Sequence, residues 1–191
     1  MQIGLFFGSF NPIHNGHLII ANLILNETAL KKIWFVISPQ NPFKSEVTLL
    51  DEYNRLHLVR LAVEDDTRLK ASDVEFFLPR PSYTSHTLTK LQEKFPGHTF
   101  SIIMGSDSFM NLHKWKNFET IVKNYSIIVY KRSGHEVMNR NIKAEPFIVN
   151  APMIEISATL IRKLTKEKKS IRYLVPEKVM EEIIKGGYYR K

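Results

Sequence analysis

Two histidines three residues apart, His14 and His17, stand at the start of a segment with helical periodicity. At this spacing both side chains lie on one helix face and can contact the same ligand. Gly8, Pro12 and Gly16 belong to the same block, Gly-Ser-Phe-Asn-Pro-Ile-His-Asn-Gly-His, which follows a short apolar run. A strand, a turn and a helix start in this order offer unpaired N–H groups and a positive dipole end to an anion. The block therefore predicts a phosphate-binding site.

Simpler interpretations exist for the histidines. Either one, taken alone, is more often a structural residue with satisfied hydrogen bonds, and a pair could also bind a metal. No carboxylate stands in the i, i+4 arrangement of zinc-binding helices, which disfavours the metal. A glycine that ends the strand, a proline in the turn and a glycine at the helix start favour close approach of a phosphate to the backbone.

A second candidate phosphate site lies near the C-terminus, in the segment Ile-Ser-Ala-Thr-Leu-Ile-Arg that starts at Ile156. Ser157 is predicted to be the N-cap of a helix. Thr159 and the first backbone amides could hold phosphate oxygens, while Arg162, one turn into the helix, supplies a planar cation. Taken alone, this pattern is also that of an ordinary capped basic helix.

The elements that position these blocks alternate between apolar strands and helices. Strands are predicted at Ile3–Phe7, Ile33–Ile37, Thr99–Met104 and Ser126–Tyr130, shorter ones at Lys70–Phe77, Phe147–Asn150 and Met153–Ile156, and helices at about 16–30, 51–65, 84–95 and 106–123. Continuous apolar strands between helices predict an α/β fold, a doubly wound parallel sheet with helices on both faces. Ligands then bind outside the carboxyl ends of the strands. The pattern does not determine the strand order.

The composition indicates one domain over residues 1–191, with a basic helical segment from about residue 157; Pro176 and Gly186-Gly187 delimit its last helix. The chain has no cysteine, which excludes disulfides, thiolate zinc sites and a cysteine nucleophile. No basic flank or apolar leader precedes the first strand, so a cytoplasmic location is expected. The longest apolar stretch is far shorter than the roughly 20 residues of a membrane span.

The net charge of +8 is unevenly distributed, since residues 160–191 contain ten Lys and Arg against four Glu and so contribute +6. Anionic ligands and a solvated basic helix explain this distribution. A polynucleotide partner is disfavoured, because no aromatic and basic stacking pattern accompanies the charge.

Together, the two blocks resemble the G-x-F-x-P-x-H-x-G-H and I-S-x-T-x-I-R signatures of the nucleotidyltransferase superfamily, which is related to the class I aminoacyl-tRNA synthetases. The resemblance implies a Rossmann-like fold and in-line attack of a substrate phosphate on the α-phosphorus of ATP, with Mg²⁺ carried by ATP and no covalent intermediate. It implies catalytic roles for His14, His17, Lys44 and Arg162. It implies ATP binding by Gly8, Ser9, Phe10, His14, Gly16, His17, Asp107, Ile156, Ser157, Thr159 and Arg162.

Segments in the middle of the chain indicate which second substrate accepts the AMP group. Asp107 follows a strand end, where an acidic side chain suits a ribose diol, and Trp115 could belong to the core or stack on a planar ring. The segment from Gly105 resembles the G-x-D-x7-W segment of bacterial nicotinate mononucleotide adenylyltransferases, in which the tryptophan is associated with the nicotinate ring. Ser82–Leu88 is similar to their S-Y-T-x-x-T-L segment, whose backbone amides support the nicotinate carboxylate. Helix capping is the structural alternative for Thr84.

Two segments depart from that family's pattern. Asn41-Pro42-Phe43-Lys44 stands where the family has Pro-Pro-His-Lys, so that Lys44 is retained and Phe43 replaces a histidine. The segment from Tyr130 to Gly134 matches the family's Arg-Pro-Gly turn loosely and leaves Arg132 as a candidate phosphate contact. The acceptor-binding residues implied by the resemblance are Lys44, Tyr83, Thr84, Trp115 and Arg132.

The activity implied is adenylyl transfer from ATP to nicotinate mononucleotide. Nicotinamide mononucleotide or phosphopantetheine as acceptor, and a non-catalytic nucleotide- or nucleic-acid-binding module, are the alternatives. A binding module has no need for the full set of phosphate-handling residues, which disfavours it. The expected partners are therefore the two small-molecule substrates, without nucleic acid or membrane, and the oligomeric state is not determined by the sequence.

Overall fold

A single parallel sheet organises the chain. The structure, a computed structural model, describes residues 1–39, 49–131, 145–152 and 154–190. The strands in these ranges are β1 Gln2–Gly8, β2 Lys32–Ile37, β3 Leu69–Ser72, β4 Thr99–Gly105, β5 Ser126–Tyr130 and β6 Phe147–Val149. Their order across the sheet is β3-β2-β1-β4-β5-β6, and every neighbouring pair is parallel. The order reverses between β1 and β4, which creates the crevice where doubly wound folds bind nucleotides.

Helices cover the sheet, and most of them begin and end close to the predicted positions. Asp51 caps α2, because its Oδ1 accepts hydrogen bonds from the backbone N–H groups of Tyr53 and Asn54. The last helix follows Pro176 and ends before Gly186 and Gly187, as predicted. The α-helices of the described ranges are α1 Asn15–Glu27, α2 Glu52–Val63, α3 Thr84–Lys94, α4 Ser106–Met110, α5 Phe118–Asn124, α6 Ala158–Lys166 and α7 Glu177–Lys185.

Two hydrophobic cores lie on opposite faces of the sheet. Side chains alternate along β2, so Ile33 and Phe35 join one core while Trp34 and Val36 join the other. The first core includes buried residues of α1, α2, α6 and α7, and the second includes buried residues of α3, α4 and α5. This arrangement confirms the predicted doubly wound sheet with helices on both faces.

Three predicted elements are wrong in extent. The helix expected at 106–123 consists of α4, a 3₁₀ turn at Leu112–Lys114 and α5, and Asn117 adopts a left-handed φ of 57° just before α5. The strand expected at Lys70–Phe77 ends at Ser72 and continues as the 3₁₀ helix Val74–Phe77. The described part of the strand expected at Met153–Ile156, residues 154–156, is not a strand.

Within the described ranges, every helix is too short or too polar to traverse a bilayer.

Candidate active site

The turn after β1 is anchored by an aromatic side chain. Phe10 has a left-handed φ of 43°, a conformation that costs a non-glycine residue about 1–3 kcal/mol. Its ring is buried and contacts the rings of Phe6 and Phe35 at 5.9 and 5.4 Å between centroids. A Cβ on Gly8 would lie 2.9 Å from the same ring, so glycine is required where strand and turn meet. The Phe10 side chain therefore belongs to the first core, and only its backbone can face a phosphate.

The two histidines form a stacked pair at the start of α1. Their ring centroids are 3.7 Å apart with an interplanar angle of 24°. The backbone N–H of His14 donates to Nδ1 of His17 at 3.3 Å, which places the proton of a neutral His17 ring on Nε2. A Cβ on Gly16 would lie 3.0 Å from Nδ1 of His14, so this glycine lets the helix start approach the pair. His17 is thereby oriented as an N–H donor.

Arg162 joins the C-terminal block to the N-terminal turn. Its Nη1 donates to the backbone carbonyl of Asn11 at 2.8 Å, although the two residues are 151 positions apart. Its Nη2 donates to Oγ1 of Thr159 at 3.3 Å. Ser157 is the N-cap of α6, as predicted, because its Oγ accepts from the Leu160 N–H at 3.2 Å. The guanidinium is thus fixed at the turn after β1, beside the start of a second helix.

The C-terminal block also packs against α1. Ile156 is half-buried against the first core, and a Cβ on Gly16 would lie 3.5 Å from Ile154. Asn15 in the first turn of α1 donates its backbone N–H to the carbonyl of Leu174 and its Nδ2 to that of Tyr173. Packing therefore holds the segment before α6 against the start of α1, and the hydrogen bonds of Asn15 hold the segment before α7 there as well.

A buried arginine that sequence reasoning missed supports the turn. Arg55 on α2 is fully buried, and burial lowers the pKa of its guanidinium. It donates to four backbone carbonyls: Ser9 at 2.6 Å, Ser38 at 2.8 Å, Pro39 at 3.0 Å and Leu50 at 2.7 Å. Arg55 thus connects the loop after β1 to the loop after β2. The available signal was its spacing from the apolar residues three and four positions later, which places it on the buried helix face.

We expect the substitution Arg55→Met to lower the free energy of unfolding by about 3 kcal/mol or more. Each buried carbonyl that loses its donor costs about 1–3 kcal/mol, and four carbonyls in the interior around Arg55 lose theirs together. Urea denaturation followed by circular dichroism measures the change. Arg60→Met, an exposed position on the same helix, is the matched control and should change the stability by less than about 0.5 kcal/mol. Equal stabilities of the two variants would contradict the role.

The two predicted acceptor segments meet on the other side of the switch point. Trp115 is half-buried at the edge of the second core, and Nζ of the following Lys116 lies 4.5 Å above the ring of Tyr83. Asp107 lies in the first turn of α4, directly after the end of β4. The segment from Gly105 therefore follows the strand that neighbours β1, and Lys116 brings it into contact with the segment that contains Tyr83.

Thr84 is the first helical residue of α3 and not its cap. The N-cap is Tyr83, whose side chain makes no capping hydrogen bond. The capping alternative for Thr84 is therefore wrong. An uncapped helix start retains its capacity to bind an anion through the first-turn N–H groups, which is the contact implied for a carboxylate.

Two predicted site residues, Lys44 and Arg132, lie outside the described residues, as does the whole segment Asn41–Lys44. Within the described ranges, no cluster of three or more His, Cys, Asp or Glu side chains could hold a metal ion.

Comparison with known proteins identifies the family. Residues 5–164 match the family model described as cytidylyltransferase-like. A Flavobacterium psychrophilum protein described as "Probable nicotinate-nucleotide adenylyltransferase" is 51% identical over 193 residues, which cover 100% of both chains. A Bacteroides thetaiotaomicron protein with the same description is 43% identical over 183 residues, 96% of this chain and 91% of that one. This chain belongs to the nicotinate-nucleotide adenylyltransferase family.

A solved structure shares the fold of this family member. The Plasmodium falciparum nicotinic acid mononucleotide adenylyltransferase complexed with NaAD superposes with a TM-score of 0.80, covering 98% of this chain and 97% of that one at 22% identity. The six-stranded parallel sheet with helices on both faces is therefore the fold of a nicotinate-nucleotide adenylyltransferase, as predicted. In this member, the family's two signature blocks meet at Asn11 and Arg162.

Proposed function

We propose that this chain transfers the AMP group of ATP to nicotinate mononucleotide, giving nicotinate adenine dinucleotide and pyrophosphate in NAD biosynthesis. One observation carries the proposal: the hydrogen bond from Arg162 to the Asn11 carbonyl brings a fixed cation to the turn that holds the stacked histidines. Two helix starts and a planar cation thus converge on one volume beside the topological switch point.

The proposed reaction is an in-line displacement at the α-phosphorus of ATP. An oxygen of the acceptor phosphate forms the new bond, and the bond to the oxygen that bridges to the β-phosphorus breaks, so that pyrophosphate leaves with the electron pair. His17 Nε2–H and Arg162 donate to phosphate oxygens whose charge changes in the transition state. Positioning and charge stabilisation account for catalysis, because no covalent intermediate is required. Mg²⁺ enters with ATP and neutralises phosphate charge.

Further residues receive proposed roles in ATP binding. The backbone from Gly8 to Phe10, with Gly16, lines the phosphate turn, and His14 contacts the phosphates beside His17. The α6 start, with Ile156, Ser157 and Thr159, adds N–H groups, while Asp107 accepts from a ribose hydroxyl. Lys44 is proposed to contact the phosphates of both substrates.

The acceptor is proposed to bind between α3 and the segment that follows β4. The start of α3 at Tyr83 and Thr84 donates backbone N–H groups to the nicotinate carboxylate, and Trp115 stacks on the pyridine ring. Lys116, held over Tyr83, adds positive charge on this side and favours an acid over an amide. Arg132 is proposed as a contact of the acceptor phosphate.

Acceptor profiling tests the function. Pyrophosphate release from ATP and Mg²⁺ is measured with nicotinate mononucleotide, nicotinamide mononucleotide or phosphopantetheine supplied separately, and chromatography identifies the dinucleotide. The nicotinate substrate should give the highest kcat/KM. Activity with another acceptor alone would reassign Trp115 and Thr84 while leaving the phosphate site in place. No pyrophosphate release with any of the three acceptors would favour the non-catalytic binding module.

We expect Trp115→Ala to raise the KM for the acceptor by about tenfold with a smaller effect on kcat. Stacking contributes about 1–3 kcal/mol, and it stabilises the bound substrate and the transition state alike. Trp115→Phe retains an aromatic face and should recover most of the loss. Initial rates with varied acceptor at saturating ATP measure both parameters. An unfolded alanine variant with an unaffected phenylalanine variant would assign Trp115 to the core alone.

A further inference from the structure

A buried carboxyl group lies beneath the acceptor segment, and the proposed chemistry does not use it. Glu75, in the 3₁₀ helix that follows β3, is 2% exposed. Its Oε2 accepts from the hydroxyl of Ser82 at 2.8 Å, and its Oε1 accepts from the hydroxyl of Thr87 at 2.8 Å. These two residues flank Tyr83 and Thr84, so a single carboxyl group fixes both ends of the turn that starts α3.

The same carboxyl group reaches the end of β2. The side chain of Ser38 lies close enough to Glu75 to lower the pKa of that carboxyl group, and the Ser38 backbone carbonyl accepts from Arg55 at 2.8 Å. Arg55 in turn holds the Ser9 carbonyl of the phosphate turn at 2.6 Å. A chain of neighbouring polar groups therefore runs through the interior from the phosphate turn to the start of α3.

Stability alone is a poor explanation for this arrangement. Burial raises the pKa of Glu75, because the charged form loses its water, and the three hydroxyl groups offset this only in part. Replacing a buried polar group together with its partners by apolar side chains of similar volume is often neutral or stabilising. A carboxyl group gives what an apolar side chain cannot, which is directional acceptance from the two hydroxyl groups on either side of the start of α3.

We propose that Glu75 is a positioning residue for the acceptor: it fixes the turn that starts α3 through Ser82 and Thr87, so that the backbone N–H groups of that turn meet the carboxylate of the pyridine nucleotide. The proposal rests on the proposed function for the identity of the acceptor. Glu75 itself does not touch the substrate, because its side chain is fully enclosed.

The test compares the two substrates in one enzyme. Glu75→Ala should raise the KM for nicotinate mononucleotide by about tenfold or more, while the KM for ATP changes by less than about twofold. Glu75→Gln keeps one carbonyl oxygen as acceptor and should recover part of the effect. Glu93→Ala removes an exposed carboxylate from α3, and as matched control it should leave both KM values unchanged.

A double-mutant cycle with Thr87→Val measures the coupling between Glu75 and Thr87 in the acceptor KM, which a general loss of stability does not change. If Glu75 acts through Thr87, the Thr87→Val substitution should raise the acceptor KM by itself and add little in the Glu75→Ala background. If Glu75→Ala does not fold, the KM values for acceptor and ATP are compared in Glu75→Gln, Ser82→Ala and Thr87→Val instead. Equal increases in both KM values, or a lowered melting temperature with unchanged KM values, would overturn the proposal.

Failure of the proposed function is distinguishable from failure of this inference. If the wild-type enzyme prefers another acceptor, the proposed function fails. The role of Glu75 is then tested by comparing the change in KM for that acceptor with the change in KM for ATP. If no acceptor turns over, calorimetric dissociation constants for nicotinate mononucleotide and ATP give the comparison. An unchanged acceptor constant in the Glu75 variants then contradicts the positioning role.

Discussion

Replacing His17 by alanine should lower kcat by about two to four orders of magnitude with little change in the fold. The imidazole is oriented as a donor by the His14 N–H at Nδ1 and by stacking against the His14 ring. A donor preorganised toward the charge that develops on the transferring phosphoryl group contributes about 10²–10⁴ to the rate. Single-turnover formation of the dinucleotide at saturating substrates measures the loss.

A second variant separates the chemistry of His17 from its part in the helix start. In His17→Asn, the side-chain oxygen can accept from the His14 N–H as Nδ1 does, while no donor remains at the position of Nε2. It should therefore be almost as slow as His17→Ala. His57→Ala, an exposed histidine on α2 whose side chain is 50% accessible, is the matched control and should retain full activity. Near-normal turnover of His17→Asn would limit His17 to a structural role.

Replacing Arg162 by lysine should lower kcat by about 10²–10³ even though the charge is kept. The guanidinium donates to the Asn11 carbonyl and to Thr159 Oγ1 through different nitrogens, and this fixes the plane of the group. A lysine ammonium has no such fork and cannot reproduce both contacts together with a contact to phosphate. Loss of one preorganised donor to a developing negative charge has about this effect.

The Arg162 prediction is checked by steady-state kinetics with both substrates varied. Lys163→Met, which removes an exposed cation from the next position of α6, should have almost no effect and controls for the general loss of positive charge. Salt dependence separates the two cases further, since exposed charges are screened and enclosed ones much less. If Arg162→Lys and Lys163→Met reduce kcat equally, long-range charge and not the fixed geometry is responsible.

The spacing of hydrophobic residues and the positions of turn-forming and capping residues predicted most of the fold. The strand at Ser126–Tyr130 has the predicted bounds, and the ends of α2 and α3 lie within two residues of the predicted positions. These elements carry their signals locally, in a continuous apolar run or a cap such as Asp51. The helix expected at 106–123 fails, because its apolar residues satisfy a helical pattern while the left-handed Asn117 redirects the chain.

The candidate site likewise contains residues that local sequence signals predict and residues whose partners lie far away in the chain. The residues of both candidate phosphate blocks are recognisable by type and spacing, since glycine, proline, histidine and cap residues act within a few positions of one another. Arg55 and Glu75 were missed, because a charged side chain is ordinarily assigned to the surface and nothing nearby in the sequence reveals its partners. Those partners are carbonyl and hydroxyl groups of distant segments, such as Ser9 and Ser82.

The sequence by itself determined the α/β class and most strand and helix positions, and it predicted the two candidate phosphate blocks, all of which depend on residues close together in the chain. The tertiary structure alone decided the strand order, the contact between Arg162 and Asn11, and the burial of the polar chain from Arg55 to Glu75. Each of these depends on which distant segments pack together. Packing then decides which charged groups leave water, because only an enclosed group with partners on several segments can repay its loss of hydration.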